Sequence, residues 1–385
     1  MRIAIVGGGP AGLFFARLMK RQKPDVRIDV YEQNPENATY GFGVTLANNA
    51  RDRLRDIDPE THTRLAEAMV FTSSQKIGLN GEEILLRYAG NSGSIERLTL
   101  LQILGELSRD VGVNLIHDKR ISTREDLAGY DLIVGADGAN SAVRALWPDR
   151  LTTRTRTVGN HFAWYGVDRA LSPNALMFRF YRGGCFIAHY YAYTATRSTF
   201  VAECDAQTWT RCGLDKMTDG QRKDLMQEIY ADVLEGGTLL ENRSIWRQFT
   251  AQVAETWYHD KAVLIGDALR VAHFSIGSGT RLAMDDALDL HEALVSTGSV
   301  AEALPRFVEM RAANRDLFTE ATERSYEWYD RVREAMQTDI VSFAYDFLTR
   351  TGRVDDARLQ KYAPEFYREH LAPRLERACA LGLAG

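Results

Sequence analysis

The sequence lacks the features of a membrane, secreted or nucleic-acid-binding protein. No apolar run approaches the length that crosses a bilayer, and a formal net charge of -5 on 385 residues gives no sign of a nucleic-acid partner. The chain enters an apolar run at residue 3, which leaves no room for a signal peptide. We therefore expect a cytoplasmic enzyme with no membrane or nucleic-acid partner.

Cysteine is scarce as well. The four cysteines, Cys185, Cys204, Cys212 and Cys379, show no C-x-x-C spacing. Disulfide frameworks and zinc sites depend on such spacings, so we expect buried, reduced thiols and no metal site. The sequence also has no internal repeat and no low-complexity linker. Its length is sufficient for two packed cores or for one large α/β domain with a second sheet.

The first 32 residues show a dinucleotide-binding pattern. An apolar run, Ile3 to Val6, predicts a buried parallel strand, and a helix is predicted after the glycines that follow it. A second apolar run ends at Glu32, about 20 residues after the last glycine, where a carboxylate is expected to bind a ribose hydroxyl. The residues predicted to surround the pyrophosphate are Gly7, Gly9, Pro10, Ala11 and Gly12.

Each glycine of this G-x-G-x-x-G pattern has a physical purpose. Gly7 lets the chain turn, Gly9 lets a pyrophosphate approach the backbone, and Gly12 lets helix and strand pack closely. The N-terminus of the helix then offers free N–H groups and partial positive charge to the phosphates. A strand before the glycines and an acid at the end of the next strand make this pattern far more specific than the glycines alone.

The remaining pattern predicts an α/β protein with two interleaved parts. A Rossmann-like dinucleotide-binding domain is predicted from residues 1–70, 97–150 and 261–300. An antiparallel β-sheet substrate domain is predicted from residues 71–96 and 151–260, because aromatic and β-branched residues alternate there and Asn80-Gly81 is a strong hairpin signal. Residues 301–385 are predicted to form a helical C-terminal region. The glycine-rich turn from Gly41 is expected to lead into a helix with Asn48 or Asn49 near its start, in a stretch that ends at Leu54. A further helix is predicted from Met217 to Leu234, and a further strand from Ser244 to Phe249.

Two later turns add further candidate cofactor residues. The stretch Asp131 to Arg144 is a short apolar strand followed by a small-residue turn that contains Asp137. The stretch Gly266 to Leu294 contains Asp267 and two glycines, Gly277 and Gly279, immediately before a long predicted helix. A helix that opens on glycines is a second potential anion site.

The three motifs in this order resemble the single-component FAD-dependent aromatic hydroxylases of the para-hydroxybenzoate hydroxylase type. The run AHFSIGSGT and the pair FIAHYYAY and STFVAEC look more specifically like salicylyl-CoA hydroxylases, anthraniloyl-CoA monooxygenases and the violacein-pathway indole hydroxylase. The C-terminal run FAYDFLTRTGRV is more similar to the aryl-CoA group. Arg270 replaces a histidine that is usual in the family, so its role is open.

This resemblance implies a function and a set of cofactor contacts. It implies that non-covalent FAD, reduced by NADPH or NADH, reacts with O2 and hydroxylates an electron-rich aromatic substrate through a flavin C4a-hydroperoxide. The substrate would be an aryl acid, free or as a coenzyme A or carrier thioester. By the same resemblance, the cofactor contacts would include Arg97, Asp137, Asp267, Gly277, Gly279 and Thr280.

A second group of residues is predicted to contact the substrate. Trp164, Phe186, Tyr191 and Phe274 could wall a pocket that excludes water. The candidate catalytic residues are His189, Tyr191 and His273. For each of these three, a satisfied position in the protein core is an equally good interpretation.

Three alternatives to an aryl-acid hydroxylase are kept. The first is a hydroxylase of an indole or of another tryptophan-derived natural product. The second is a flavin-dependent reductase or dehydrogenase that inserts no oxygen. The third is a non-enzymatic module that binds flavin or sequesters an aromatic ligand. We expect a monomer or a homodimer.

Overall fold

The computed structural model describes residues 1–374, except for the side chains of Asn48 and Asn49. Cys379 and the end of the predicted C-terminal helical region lie outside the described residues. Cys185, Cys204 and Cys212 are free thiols, and the first two are buried as predicted. No helix within residues 1–374 is both long and apolar enough to cross a membrane.

The described residues contain sixteen strands. In chain order they are β1 Arg2–Val6, β2 Arg27–Tyr31, β3 Gly43–Ala47, β4 Val70–Leu79, β5 Glu82–Glu96, β6 Asn114–Ile116, β7 Leu132–Gly135, β8 Thr153–Val167, β9 Asn174–Tyr181, β10 Gly184–Ala192, β11 Ser198–Cys204, β12 Leu239–Leu240, β13 Arg247–Ala254, β14 Tyr258–His259, β15 Ala262–Leu264 and β16 Arg270–Val271. The alternation of strands and helices confirms the mixed α/β class.

The same part of the chain contains fourteen α-helices. They are α1 Pro10–Gln22, α2 Asn48–Ile57, α3 Pro59–Glu67, α4 Arg97–Asp110, α5 Ala142–Leu146, α6 Ala206–Arg211, α7 Asp219–Ile229, α8 Ala231–Leu234, α9 Gly279–Ser296, α10 Val300–Asp330, α11 Val332–Ala335, α12 Ile340–Thr349, α13 Asp356–Tyr362 and α14 Pro364–Phe366. Short polar residues such as Asp58, Ser299 and Asp339 begin several of them by accepting backbone N–H groups.

The first sheet has six strands in the order β14-β15-β7-β1-β2-β6. All of its pairs are parallel except β14 with β15. Its central strand, β1, is buried along Ile3 to Val6, as a parallel strand covered on both faces should be. This sheet is the predicted Rossmann-like part, and α1 packs between it and α9.

The second sheet has ten strands and carries the predicted hairpin. Its order is β16-β13-β8-β11-β10-β9-β4-β5-β3, with β12 paired to β8. The hairpin of β4 and β5 turns at Asn80 and Gly81, whose φ angles of 51° and 98° lie in the left-handed region. Most strand pairs of this sheet are antiparallel, and the exception is the parallel pair of β4 with β9.

The two faces of this second sheet have different neighbours. Residues of β10 alternate between faces, since successive strand side chains point to opposite sides. Phe186 and Tyr190 pack with Tyr230 in one cluster. Ile187 packs in another cluster with the C-terminal helices, and His189 shares its face. The prediction that Phe186 lines the pocket beside Tyr191 is therefore wrong, because the two residues lie an odd number of positions apart.

Three predicted elements differ in their bounds. The stretch from Gly41 forms β3 before α2 begins, since β3 pairs with β5 over Gly43 to Ala47. The helix predicted from Met217 to Leu234 is divided at Tyr230 into α7 and α8. The strand predicted from Ser244 begins at Arg247. The domain boundaries themselves stay a prediction.

Candidate active site

The glycine loop after β1 has no space for larger side chains at two positions. Gly7 has a φ of +108°, and a Cβ there would lie 2.3 Å from the carbonyl oxygen of Ala136. A Cβ on Gly12 would lie 2.2 Å from the carbonyl oxygen of Gly7. By contrast, a Cβ on Gly9 would meet nothing nearer than 3.9 Å. The loop is thus tight where helix and strand pack and open where a ligand would approach.

The N-terminus of α1 is left open to an anion. Its first residue is Pro10, its N-cap residue is Gly9, and no side chain caps the backbone N–H groups. The first turn also contains no acidic residue. Free N–H groups and an unopposed helix dipole favour a phosphate at this position.

Glu32 follows β2 and joins the glycine loop. Its Oε2 accepts a hydrogen bond from the Gly8 N–H at 2.9 Å. Its Oε1 accepts from the backbone and side-chain nitrogens of Asn34 at 2.8 and 2.7 Å. Glu32 therefore lies at the predicted place, and part of its hydrogen-bonding capacity already orders the loop.

A cleft of about 250 Å³ opens beside these groups. Its lining combines the glycine loop, three acids and two guanidinium groups. Among the residues that line it are Gly8, Gly9, Glu32, Asn34, Arg97 and Arg109. Backbone donors, a carboxylate and cations fit the phosphates and the ribose of a dinucleotide, so the residues present fit FAD.

Arg97 and Asp267 face each other across the next part of the site. The Arg97 Nε donates to the Thr39 hydroxyl at 3.1 Å. The Asp267 residue is exposed to solvent, yet desolvation by the surrounding protein raises the pKa of its carboxyl group, and the nearby Arg97 charge opposes this rise. Burial also lowers the pKa of Arg97, which interacts electrostatically with Asp267 and Tyr191. Two elements distant in sequence thus bring opposite charges together. The cofactor contacts of Arg97 and Asp267 stay predictions.

Asp137 mainly orders its own turn. Its Oδ2 accepts hydrogen bonds from the backbone N–H groups of Ala142 and Val143 at 2.6 and 3.1 Å. Its Oδ1 is buried and has no hydrogen-bond partner among the described residues. Burial raises the pKa of Asp137. One oxygen of Asp137 therefore holds the start of α5, while the other is buried without a hydrogen-bond partner among the described residues.

The second anion site is the start of α9. Gly277 has a φ of +56° and ends the turn Phe274–Ile276. The helix begins at Gly279, and its N-cap residue, Ser278, does not cap it with its side chain. No side chain therefore caps the first backbone N–H groups of α9, which include that of Thr280. The start of α1 is uncapped in the same way.

A buried ionic network fixes this turn to α9, and sequence reasoning missed it. Asp286 accepts the Gly266 N–H at 3.1 Å and lies 3.5 Å from the Arg270 Nη2. The Arg311 guanidinium pairs with Asp286 at 2.7 Å and with Asp289 at 3.1 Å. Arg270 therefore pairs with an acid of α9, which gives a structural role to the residue whose role was open.

His189 and Tyr191 lie on one face of β10, with ring centroids 5.4 Å apart. The Tyr191 hydroxyl donates to the Gly43 carbonyl oxygen at 2.8 Å, and this residue is buried. No described residue forms a hydrogen bond with the His189 ring, which is half-buried. Burial lowers the pKa of His189 to about 4, so the ring is neutral at pH 7.

His273 is enclosed by aromatic side chains. Its ring lies 4.1 Å from Phe274, 4.7 Å from Phe249 and 5.5 Å from Tyr326, measured between centroids. Its Nδ1 accepts the Ser275 N–H at 3.2 Å. Burial lowers the pKa of His273 to about 3. These contacts fit a core position, and a catalytic role for His273 stays a prediction.

An aromatic wall forms beside the turn that opens α9. The Phe274 ring lies 4.8 Å from Phe162 and 5.6 Å from Trp164. Trp164 and Phe274 were predicted as neighbours in a pocket wall, whereas Phe162 was not named. Its spacing of two residues from Trp164 in β8 was the signal that could have identified it.

Two charged or polar groups on this side of the sheet also escaped sequence reasoning. Glu203 is buried, and its Oε1 accepts a hydrogen bond from Asn160 at 2.8 Å. Burial raises the pKa of Glu203 to about 8. An acid within the apolar strand STFVAEC was a visible signal for Glu203. The second group is Arg350, whose positive charge contributes to lowering the pKa of His189 and of His273. No sequence pattern indicated this role.

Family comparisons agree with this geometry. A family model described as an FAD binding domain matches residues 115–313. A second model, described as an NAD(P)-binding Rossmann-like domain, matches residues 5–49, which contain the glycine loop and Glu32.

Several named proteins are similar over almost the whole chain. Salicyloyl-CoA 5-hydroxylase of a Streptomyces species is 33% identical over 91% of this chain and 70% of its own length. The 3-hydroxy-4-methyl-anthranilyl-[aryl-carrier protein] 5-monooxygenase of Streptosporangium sibiricum is 33% identical over 92% of this chain and 95% of its own length. Protodeoxyviolaceinate monooxygenase of Chromobacterium violaceum is 31% identical over 91% of this chain and 94% of its own length.

Solved structures support the fold. A crystal structure of 2-methyl-3-hydroxypyridine-5-carboxylic acid oxygenase superposes with a TM-score of 0.72 at 17% sequence identity. The match covers 91% of this chain and 98% of that one.

Proposed function

Because the chain belongs to the family of FAD-dependent aromatic monooxygenases, we propose that it hydroxylates an electron-rich aryl acid, free or as a thioester of coenzyme A or of a carrier protein. The chain is an FAD-dependent enzyme that uses NAD(P)H and O2. Two relatives are named for thioester-bound aromatic acids, which supports the thioester form of the substrate.

One observation carries this proposal: the aromatic wall lies directly beside the open N-terminus of α9. Phe162, Trp164 and Phe274 present polarizable surface there, and the N–H groups from Gly279 onward carry partial positive charge. FAD, when bound, supplies electron transfer from NAD(P)H and the activation of O2. An apolar wall beside it would hold an aromatic ring and exclude water.

The chain's own residues have separable roles in this proposal. The glycine loop, Glu32 and Arg97 would bind the phosphates and a ribose, and Asp267 would bind hydroxyl groups of the cofactor. The start of α9 would stabilise negative charge on the reduced flavin ring. His189 and Tyr191 would orient the substrate. The Tyr191 hydroxyl donates its proton to the Gly43 carbonyl oxygen, so it would act on the substrate as a hydrogen-bond acceptor. A separate nicotinamide domain is not predicted, so NAD(P)H would bind transiently.

A second candidate substrate is an indole-derived compound. Its support is the 31% identity to protodeoxyviolaceinate monooxygenase, together with the three aromatic rings of the wall.

Two further expectations stay predictions: the protein is cytoplasmic, and it is a monomer or a homodimer. Light scattering of the purified enzyme would determine the oligomeric state.

The test is a substrate panel with labelled oxygen. Free aryl acids, aryl-CoA thioesters and indoles are incubated with the FAD-loaded enzyme, NADH or NADPH, and 18O2. We expect substrate-stimulated NAD(P)H consumption and a product that gains one 18O atom from an aryl acid or its thioester. NAD(P)H consumption without 18O in any product would support the reductase alternative and contradict hydroxylation. Label only in indole products would favour the second candidate.

A further inference from the structure

Arg350 follows α12 and joins three elements next to the aromatic wall. Its Nη2 donates to the Ser275 carbonyl oxygen at 2.7 Å, within the turn that precedes α9. Its Nε donates to the Ser325 hydroxyl of α10 at 3.2 Å, and its Nη1 donates to the Phe347 carbonyl oxygen at 2.6 Å. The guanidinium therefore lies between the C-terminal helices and the turn that carries Phe274.

This guanidinium has no acidic partner within salt-bridge distance among the described residues. Arg17, Arg270 and Arg311, which are buried, each pair with at least one carboxylate. Arg350 instead makes three hydrogen bonds, all to uncharged oxygens, and lies over the Phe347 ring at 3.9 Å. An arginine has five N–H donors, so two of those of Arg350 form no hydrogen bond with the described residues, and its positive charge has no counterion among them.

The groups that surround Arg350 do not neutralise its charge. Its electrostatic neighbours include His189, His273 and Tyr329. Burial lowers the pKa of each histidine, to about 4 and about 3, and raises that of Tyr329, so all three are neutral at pH 7. Glu203, on the same face of the sheet, has a pKa raised to about 8 by burial and is mostly protonated there.

We propose that Arg350 binds an oxyanion of the aromatic substrate, either a carboxylate or an ionised ring hydroxyl. A charge enclosed by neutral side chains is costly unless a counterion reaches it, and planar guanidinium groups match carboxylate geometry. This inference rests on the proposed function, because it assumes an aromatic substrate beside Phe274 and His189. Arg350 would thus select substrates by charge, separately from the aromatic wall, which selects them by shape.

A structural role alone would also account for the three hydrogen bonds, so the test must separate the two roles. The FAD-loaded enzyme is titrated by calorimetry with benzoate, benzamide and 2-hydroxybenzamide. Benzoate carries a carboxylate, 2-hydroxybenzamide carries only an ionisable hydroxyl, and benzamide carries neither. The variants are Arg350→Gln, Arg350→Lys and the matched control Arg353→Gln. Arg353 is exposed and contacts Phe318 instead.

The wild-type enzyme is expected to bind benzoate or 2-hydroxybenzamide more tightly than benzamide. Arg350→Gln should weaken binding of the preferred oxyanion roughly ten- to a hundredfold and leave benzamide within about twofold. Arg350→Lys should retain part of the preference, and Arg353→Gln all of it. Loss for benzoate identifies the carboxylate as the group bound. Weaker binding of 2-hydroxybenzamide to Arg350→Gln identifies the ring hydroxyl as the group bound. In that case, any phenolate absorbance that appears when the wild-type enzyme binds this ligand should be absent in the variant.

Two results would overturn the proposal. One is a wild-type enzyme with no preference for either oxyanion over benzamide, including no measurable binding of any of the three. The other is an Arg350→Gln variant that weakens all ligands equally, together with a lowered melting temperature, as a structural role predicts. Either result would leave the 18O test of hydroxylation unaffected, so a failure of this inference is distinguishable from a failure of the proposed function.

Discussion

At the scale of single residues, the cofactor cleft uses charged side chains for two purposes. Glu32 hydrogen-bonds to Gly8 and Asn34, so it shapes the loop that it would also use to bind a ribose. Arg97 and Asp267 have few protein partners, and each lies close enough to shift the pKa of the other. We therefore expect Glu32 to contribute to loop order and to binding, and the other two mainly to binding.

The first prediction is that Glu32→Ala, Arg97→Ala and Asp267→Ala weaken FAD binding. A hydrogen bond to a charged group contributes about 1.5–3 kcal/mol, which corresponds to roughly ten- to a hundredfold in affinity. Fluorescence titration of the apoproteins with FAD measures this. Arg64→Ala, which removes an exposed partner of Glu106, is the control. Full affinity in all three variants would show that the cofactor contacts lie elsewhere.

The second prediction separates His189 from Tyr191. His189→Ala should lower product formed per NAD(P)H consumed and raise released H2O2, because a ring that is held poorly reacts less often. Tyr191→Phe should also lower the free energy of unfolding by about 1 kcal/mol, since it removes the hydrogen bond to Gly43. Coupling ratio and melting temperature are measured on the same samples. If His189→Ala lowers only the melting temperature, His189 is a core residue.

The third prediction concerns the buried acid Glu203. Its folded pKa of about 8 lies above its ordinary value, so the folded state keeps a proton that the unfolded state loses. This contribution to stability falls as the pH rises from about 4.5 towards 8. Glu203→Gln removes the effect, so its stability relative to wild type should rise by roughly 2–4 kcal/mol between pH 5 and pH 8. Urea unfolding measures this, with exposed Glu309→Gln as the control, and a constant difference would contradict it.

At the scale of elements, α9 shows what the sequence could and could not predict. Its start at Gly279 follows from the glycines, because their effect on the backbone is local. Its acids, Asp285, Asp286 and Asp289, appear in the sequence as an ordinary polar face. Their partners include Arg53, which is 232 residues from Asp285 in the chain, and no local pattern indicates such a pairing. Local signals thus predict where α9 begins, but they do not predict which side chains form ion pairs with its acids.

The missed strand β3 has the same explanation. Its partner, β5, lies about 50 residues later, and the pairing depends on Gly43 fitting against the Tyr193 side chain. The wrong position given to Phe186 arose differently, because the strand was predicted correctly and only the alternation of its faces was not applied. The strand β10 was therefore predictable from its own residues, whereas the existence of β3 and its pairing with β5 required the tertiary structure.

The fourth prediction tests the ionic network of α9. Arg311→Met should lower the free energy of unfolding by about 3–5 kcal/mol, because Asp286 and Asp289 then stay buried without this counterion. Arg306→Met, on the exposed side of the same helix, should cost less than about 1 kcal/mol. Urea unfolding compares the two. Similar effects of both changes would mean that the network does not stabilise the fold.

At the scale of the whole molecule, α10 links the two sheets. Near its start, Phe307 packs in the core cluster of the parallel sheet. Near its end, Trp328 and Tyr329 pack in the cluster that covers the second sheet. A single 31-residue helix therefore contributes to both clusters, so the predicted C-terminal region is part of both cores.

The fifth prediction is that the cofactor site and the second sheet unfold together. Phe178 is fully buried against Phe343 and Trp328, far along the chain from the glycine loop. Phe178→Ala should lower the free energy of unfolding by about 3–5 kcal/mol, and Phe180→Ala, two residues further along β9 and exposed, by much less. Because α10 joins the clusters, FAD release and loss of circular dichroism should shift to lower urea by the same amount. Separate transitions, with FAD retained after the second sheet has unfolded, would show that the two parts are independent folding units.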